Sequence, residues 1–215
     1  MRRLIVSMNV TLNGYMADVN GGLAWHAQFW NDEIARAVTT QLAQADTILL
    51  GRRTFEAMAP YWINRQFDPL AARDDAEFAD LMLRHEKIVF SRTLTRAGNW
   101  LNSRLAGKPI SREVQLLKSA VGKDILVYGS GKLVIALARL NAIDEYRLWV
   151  HPIVLKAGRP LFKPISERLQ LAPCSITKFR NGVVLICYEK PVISNDNRSE
   201  MTGLSNIIIS RLCTD

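Results

Sequence analysis

The chain has 215 residues, 48% of them hydrophobic, which is enough apolar material for one substantial buried core. Its net charge is +8, yet the 28 Lys and Arg residues are scattered, and no recognition-helix or aromatic RNA-binding pattern accompanies them. A nucleic-acid partner is one explanation of the charge, and a small ligand rich in phosphate explains it equally well. The sequence shows no membrane-spanning apolar run and no signal-peptide pattern, so we expect a cytoplasmic protein.

Strands and helices alternate in the first part of the chain. RRLIVSMNV predicts a buried first strand, and the glycine-punctuated TLNGYMADVNGGLAW after it predicts a long functional loop. Apolar residues four apart predict an amphipathic helix over residues 31–45. DTILL then predicts a second core strand that ends at Gly51, before a short helix.

The second part predicts further alternation and then strands alone. Residues 60–77 are polar and predict an irregular surface segment, with a short helix from residue 75. KIVFSRTL, DILVY and DEYRLWVHPIVL predict strands, and SREVQLLKSAVG a helix that closes on Gly122. CSITKFRNGVVLICYEK predicts a closing hairpin that turns at Arg180-Asn181-Gly182. This order indicates an α/β fold with a mixed, mostly parallel sheet and an antiparallel hairpin at its C-terminal end.

The last residues break this pattern. A polar stretch follows Pro191, and a stray apolar patch follows that stretch. We expect one domain over residues 1–190 and an extension over residues 191–215 that is either disordered or an added edge element. The cysteines Cys174, Cys187 and Cys213 lack the spacing of a metal site, so we expect no bound metal.

Two strand-to-helix junctions are rich in glycine. Gly129-Ser130-Gly131 follows one strand, and Gly51-Arg52-Arg53-Thr54 follows another. Bare backbone lets a ligand approach the first N–H groups and the positive dipole end of the helix, an arrangement that binds phosphate. A single junction of this kind is common for packing alone. Two of them, at the carboxyl ends of strands in an open α/β sheet, favour a shared phosphate-bearing ligand.

A third element ends the strand KIVF. Ser91 and Arg92 follow it, in a position to hold the adenosine 2′-phosphate that distinguishes NADPH from NADH. The alternative is a solvated turn.

Five segments resemble a known family. TLNGYMA, LLGRRTFE, KIVFSRTL, DILVYGSGKLVIAL and IDEYRLWVHPIVLKAGRPLF occur in the order and spacing of the dihydrofolate reductase-like proteins. Over residues 2–189 the chain is most similar to the branch that contains the reductase domain of bacterial riboflavin biosynthesis. The resemblance implies a central mixed sheet flanked by helices and an NADPH-dependent reductase of a small pterin-like or aminouracil-like substrate. Together with the apolar C-terminal strands, which we expect at the sheet edge, it also implies a homodimer.

The resemblance also assigns cofactor residues. The nicotinamide lies near Met8 and Asn9, under a loop that carries Asn13, where family members usually have aspartate, and Met16. The adenosine side falls on Ser91 and Arg92. The phosphate contacts it implies are Gly51, Arg52, Arg53 and Thr54 at one junction, and Gly129, Ser130, Gly131, Lys132 and Leu133 at the other.

Catalytic and substrate residues each have two readings. Asp32 and Glu33 are candidates for the carboxylate that holds the ring in dihydrofolate reductases, but acidic residues in a first helical turn are also ordinary dipole partners. His151 aligns with a substrate-facing position of the family, and is otherwise a hydrogen-bonded structural histidine. The aromatic residues Trp25, Tyr61 and Trp62 either stack on a planar ring or fill the core.

Two other functions stay open at this point. The chain is also compatible with a nucleotide-binding regulatory module that kept the phosphate-binding junctions and lost catalytic turnover. A basic nucleic-acid binder is the less favoured alternative.

Overall fold

The structure is a computed structural model that describes residues 1–65, 73–162 and 168–191. Six helices are present in these residues: α1 (Ala24–Ala27), α2 (Asp32–Ala43), α3 (Arg52–Arg65), α4 (Arg73–Arg84), α5 (Ile110–Ser119) and α6 (Gly131–Arg139). None of the helices in the described part is long and apolar enough to cross a membrane. From residue 192 onwards, the predicted extension lies outside the described residues.

One sheet of eight strands forms the centre. Its parallel strands are β1 (Leu4–Thr11), β3 (Ala45–Gly51), β4 (Glu86–Phe90), β5 (Ser103–Leu105), β6 (Asp124–Val127) and β7 (Glu145–His151). The antiparallel strands are β9 (Ala172–Lys178) and β10 (Val184–Glu189), and the spatial order is β5-β4-β3-β6-β1-β7-β10-β9. A separate small pair joins β2 (Tyr15–Ala17) to β8 (Arg159–Pro160). The predicted α/β fold, with its mostly parallel sheet and C-terminal antiparallel hairpin, is confirmed.

Strand β1 lies in the middle of the sheet and separates two layers. Leu4, Val6, Met8 and Val10 belong to the apolar cluster that also contains residues of α5 and α6. Side chains alternate along a strand, so the opposite face of β1 carries Ile5, Ser7, Asn9 and Thr11. This second face is therefore polar over its carboxyl-terminal half, although the strand is almost wholly buried.

The turn of the C-terminal hairpin is where the sequence predicts it. Gly182 has φ +87°, a left-handed conformation that glycine adopts without strain. The Phe179 N–H donates to the carbonyl oxygen of Val183 at 2.9 Å and closes the turn.

The prediction of an irregular segment over residues 60–77 is wrong over much of that range. Helix α3 continues to Arg65 through Pro60, and α4 begins at Arg73. The rings of Trp62 and Phe78 lie 4.7 Å apart in the second core cluster, so apolar burial keeps both segments helical despite the proline and the polar composition. The short strands β2, β5 and β8 were not predicted, because two or three residues are too few to show a periodic pattern.

The position of the C-terminal strands also corrects an expectation. β7 lies between β1 and β10, and β10 lies between β7 and β9, so neither apolar strand is an edge of the sheet. At this end of the sheet the edge strand is β9. A cross-strand row of apolar residues runs from Leu148 through Ile186 to Ile176, which is 60% exposed. The row carries the apolar face of the sheet out to solvent, and we propose that a second copy of the chain covers it.

A homodimer is therefore expected to have a mass of about 49 kDa by light scattering, twice the 24.3 kDa of the chain. Ile176→Lys should shift the mass toward that of the monomer, because it places a charge in the apolar row. Val121→Lys is the matched control, since Val121 is an equally apolar exposed residue that lies beyond α5. A monomeric mass of the unaltered protein at micromolar concentration would contradict the proposal.

Candidate functional site

The carboxyl ends of the parallel strands meet at one edge of the sheet. β1 ends at Thr11, β3 at Gly51, β4 at Phe90, β6 at Val127 and β7 at His151. All the segments that the sequence singled out therefore begin at the same edge, the usual ligand-binding edge of an open α/β sheet.

The two glycine junctions contact each other. The Gly51 N–H donates to the carbonyl oxygen of Gly129 at 2.8 Å. A Cβ on Gly51 would overlap the Ser130 hydroxyl, and a Cβ on Gly129, whose φ is +107°, would lie 3.2 Å from Thr54 Oγ1. The two loops thus pack so closely that side chains have no room at either glycine. They form one cradle, which we define as residues 51–54 and 129–131.

Helix α6 begins directly in this cradle. The Ser130 carbonyl accepts from the N–H groups of Leu133 and Val134 at 2.9 and 3.1 Å, and its side chain makes no capping bond. The N–H groups in the first turn of any helix have no intrahelical partner, and this helix contains no acidic residue there to compete for them. Of the other predicted contacts, Lys132 is exposed and Leu133 has its side chain in the core.

Met16 covers the cradle. A Cβ on Gly131 would overlap the Sδ and Cε atoms of Met16, which comes from β2. The position of β2 is set by its pairing with β8. Any ligand that meets the backbone at Gly131 must therefore contact or displace the Met16 side chain.

The loop that carries Met16 is held by an amide clamp. Asn13 Nδ2 donates to the Leu155 carbonyl at 2.8 Å, and Asn13 Oδ1 accepts from the Leu155 N–H at 3.3 Å. The Thr11 hydroxyl also donates to Asn13 Oδ1, at 2.8 Å. A carboxylate has no donor for the Leu155 carbonyl, so asparagine at this position supplies a loop contact that aspartate cannot make.

The basic residues lie on the outer side of the cradle. Arg52 pairs with Glu56 across one helical turn at 3.1 Å, whereas Arg53 in the same turn is exposed. At the end of β4, Ser91 Oγ accepts from the N–H groups of Thr93 and Leu94 at 3.1 and 2.9 Å, which shapes a turn that leaves Arg92 exposed.

His151 is buried in an aromatic group at the end of β7. Its Nε2 lies 3.0 Å from Asn9 Oδ1, and its ring packs edge-on against Trp25 and Phe29, with centroids 5.2 and 5.3 Å apart. His26 stacks on it at 6.0 Å. Burial, and to a lesser extent the charge of His26, lowers the pKa of His151 to about 4. The imidazole is therefore neutral at physiological pH.

The remaining candidates occupy separate places. Glu33 Oε2 accepts from the Arg180 N–H at 3.0 Å, which ties α2 to the hairpin turn, while Asp32 is exposed in the first turn of α2. Tyr61 is exposed, and its ring packs on Trp62, which is buried against Phe78. Of the three aromatic candidates, Trp25 is the one that contacts His151.

Sequence reasoning missed several buried polar groups on the α2 side of β1. Gln41 and Tyr128 are neighbours there, and burial raises the pKa of the Tyr128 hydroxyl although the Gln41 amide opposes the rise. Within the described structure, neither the Gln41 amide atoms nor the Tyr128 hydroxyl has a hydrogen-bond partner. The signal that points to this region is the polar alternation Ser7, Asn9, Thr11 within an otherwise apolar strand.

The sheet, the joined junctions and the loop over them define a dihydrofolate reductase-like α/β domain. Within that class, the sequence matches the RibD C-terminal domain family over residues 2–185, and the chain belongs to this family. The resemblance inferred from the five segments is thereby confirmed.

Two relatives come from Bacillus subtilis strain 168. The uncharacterised protein YyaP is 35% identical over 187 residues, which cover 87% of this chain and 94% of YyaP. The uncharacterised protein YwjB is 25% identical over 190 residues, which cover 86% and 96% of the two chains.

Solved structures share the fold at low identity. A protein of Shewanella sp. PV-4 with a suggested role in riboflavin biosynthesis has a TM-score of 0.66 and 20% identity, over 88% of this chain and 99% of its own. The deaminase and 5-amino-6-(5-phosphoribosylamino)uracil reductase of Thermotoga maritima has a TM-score of 0.62 and 14% identity, over 88% of this chain and 57% of its own.

The low pKa of His151 predicts a loss of stability in acid. The folded-state pKa of about 4 lies below the ordinary value of 6.5, so the unfolded chain takes up the proton first as the pH falls. Stability should therefore decline from pH 6.5 to pH 4. In His151→Phe, which keeps a ring at this position, thermal melts over the same range should show a shallower decline. Identical slopes for both proteins would refute this assignment of the low pKa.

Proposed function

We propose that the protein is an NADPH-dependent oxidoreductase that transfers a hydride to a small nitrogen heterocycle, pterin-like or aminouracil-like. The observation that carries the proposal is the contact between the two glycine junctions, which creates one cradle from two helix N-termini. A dinucleotide has adjacent phosphates, and two adjoining N-termini suit them. The Thermotoga maritima relative by fold, a uracil-type reductase, supports the substrate class.

Several residues at the cradle have the chemistry that a dinucleotide phosphate requires. Gly51, Gly129 and Gly131 have no side chains, which allows Ser130, Thr54 and Met16 to pack against them, and Thr54 brings its hydroxyl beside Gly129. Arg53 and Arg92 are exposed cations for the outer phosphate. When bound, NADPH supplies the hydride, and the work of the protein is to align it with an electron-poor carbon and to exclude water.

In this proposal the nicotinamide lies beside Met8 and Asn9, and the ring to be reduced lies next to the nicotinamide. Met8 Sδ lies 3.5 Å from the position of a Cβ on Gly129, so the end of β1 adjoins the cradle directly. His151 contacts Asn9 from the neighbouring strand. Because its imidazole is neutral, His151 acts here as a hydrogen-bonding group and not as a cationic acid.

A cytoplasmic setting suits this activity. The described cysteines, Cys174 and Cys187, are free thiols, as expected in a reducing compartment that maintains NADPH.

NADPH should stabilise the protein more than NADH does. At 100 times its dissociation constant, a ligand adds about 2.7 kcal/mol to the free energy of unfolding, which a thermal shift detects. Arg92→Gln should reduce the difference between the thermal shifts that NADPH and NADH produce, because it removes a cation from the proposed 2′-phosphate contact. Arg112→Gln, an exposed position on α5, is the control. Equal shifts from NADPH and NADH would count against the proposed preference.

Gly131 provides the sharper test of the cradle. Gly131→Asp places a negative charge beside phosphate and should lower NADPH affinity by well over tenfold, whereas the isosteric Gly131→Asn should lower it less. Both variants must displace Met16, so their difference isolates the charge. Fluorescence titration of NADPH, with the melting temperature of each free variant, measures the effect. A folded Gly131→Asp protein with undiminished affinity would remove the cradle from the cofactor site.

A further inference from the structure

Two neighbouring side chains near Asn9 have polar atoms without partners. Trp25 Nε1 and His151 Nδ1 are both buried, and no hydrogen-bond partner is present for either among the described residues. Their rings lie 5.2 Å apart and nearly perpendicular. A buried polar group without a partner costs about 1–3 kcal/mol, so two such groups in contact call for an explanation.

The chemistry of the two atoms is complementary. An indole N–H only donates. On His151, the Nε2–H group donates a hydrogen bond to Asn9 Oδ1, so in the neutral ring Nδ1 carries a lone pair and only accepts. The pair therefore offers one donor and one acceptor on two rings whose centroids are 5.2 Å apart.

The described neighbours of His151 in this group are aromatic rings. Phe29 packs on His151 from one side and His26 from another. Burial lowers the pKa of His26 as it does that of His151, so both imidazoles favour the neutral form. A ligand that enters this aromatic group is best satisfied if it is planar and has no net charge.

We propose that Trp25 and His151 recognise the lactam or ureide edge of an uncharged nitrogen heterocycle. The ring N–H of the ligand donates to His151 Nδ1, and its adjacent carbonyl oxygen accepts from Trp25 Nε1. One edge thus satisfies both unpaired atoms. The inference rests on the proposed reductase function and deepens it, because it identifies the edge of the substrate that the protein reads and the residues that read it.

The location agrees with the cofactor site. Asn9, which holds His151, follows Met8 at the cradle. A ring bound at its lactam edge by Trp25 and His151 therefore lies beside the proposed nicotinamide position.

The first experiment compares two probes on the unaltered full-length protein. 5,6-Diaminouracil has the ring N–H groups, and 5,6-diamino-1,3-dimethyluracil lacks them while keeping the carbonyl and amino groups. We expect calorimetry to show at least tenfold weaker binding of the dimethyl compound, since about 1.4 kcal/mol corresponds to tenfold and one lost bond to a buried acceptor costs that much or more. Equal affinities, or no binding of 5,6-diaminouracil at millimolar concentration, would overturn the inference.

The second experiment uses ring-conserving variants. Trp25→Phe removes the donor and His151→Phe the acceptor, and each should weaken 5,6-diaminouracil binding about tenfold. His151→Phe should also abolish the discrimination between the two probes. Trp30→Phe, a nearby tryptophan outside the pair, should leave the affinity unchanged. If Trp25→Phe and His151→Phe bind the probe as tightly as the unaltered protein, water fills the two bonds and the inference is wrong.

A separate NADPH titration distinguishes this inference from the function on which it rests. Absence of NADPH binding to the unaltered protein would refute the reductase proposal itself. If NADPH binds normally but the probe affinities change neither with methylation of the probe nor in the two variants, only the recognition of the lactam edge is refuted. Should either variant fail to fold, the comparison of the two probes on the unaltered protein still decides the question.

Discussion

The hydrogen bond from the Gly51 N–H to the Gly129 carbonyl is the contact on which the site depends. It joins the ends of β3 and β6, which are neighbours in the sheet, and brings the N-termini of α3 and α6 together. Glycine is required on both sides because a Cβ on either residue would press on Ser130 or Thr54. The proposed action of the helix dipoles, the bare backbone and the Thr54 hydroxyl on one ligand depends on this contact.

The polar face of β1 is the second constraint. A buried strand normally gains stability from apolar side chains on both faces, yet β1 carries Ser7, Asn9 and Thr11 toward α2. Part of the cost is offset by hydrogen bonds: Ser7 accepts from Trp149 Nε1 at 3.0 Å and Asn9 pairs with His151. Within the described structure, buried polar atoms of Trp25, Gln41, Tyr128 and His151 have no partner, and for Trp25 and His151 we propose that a ligand supplies it.

The loop after β1 couples these two regions. Asn13 fixes it to Leu155, beyond the end of β7, and the small β2–β8 pair then positions Met16 over Gly131. These contacts link the end of β7, which carries His151, to Met16, the side chain that covers the cradle. The proposed cofactor and substrate sites therefore share one structural support.

The sequence by itself determined the order of strands and helices, the two glycine junctions and the hairpin turn, because periodicity, helix starts and glycine preferences are local properties. It left open whether Glu33 and His151 are structural, and it placed the apolar strands β7 and β10 at the edge of the sheet. Only the tertiary structure shows which residues Glu33 and His151 contact and which strand forms that edge. Glu33 meets Arg180, and His151 meets Asn9 and Trp25, across separations of more than 120 residues, and β9 covers β10. Such contacts depend on which elements pack together, and no local pattern encodes that choice.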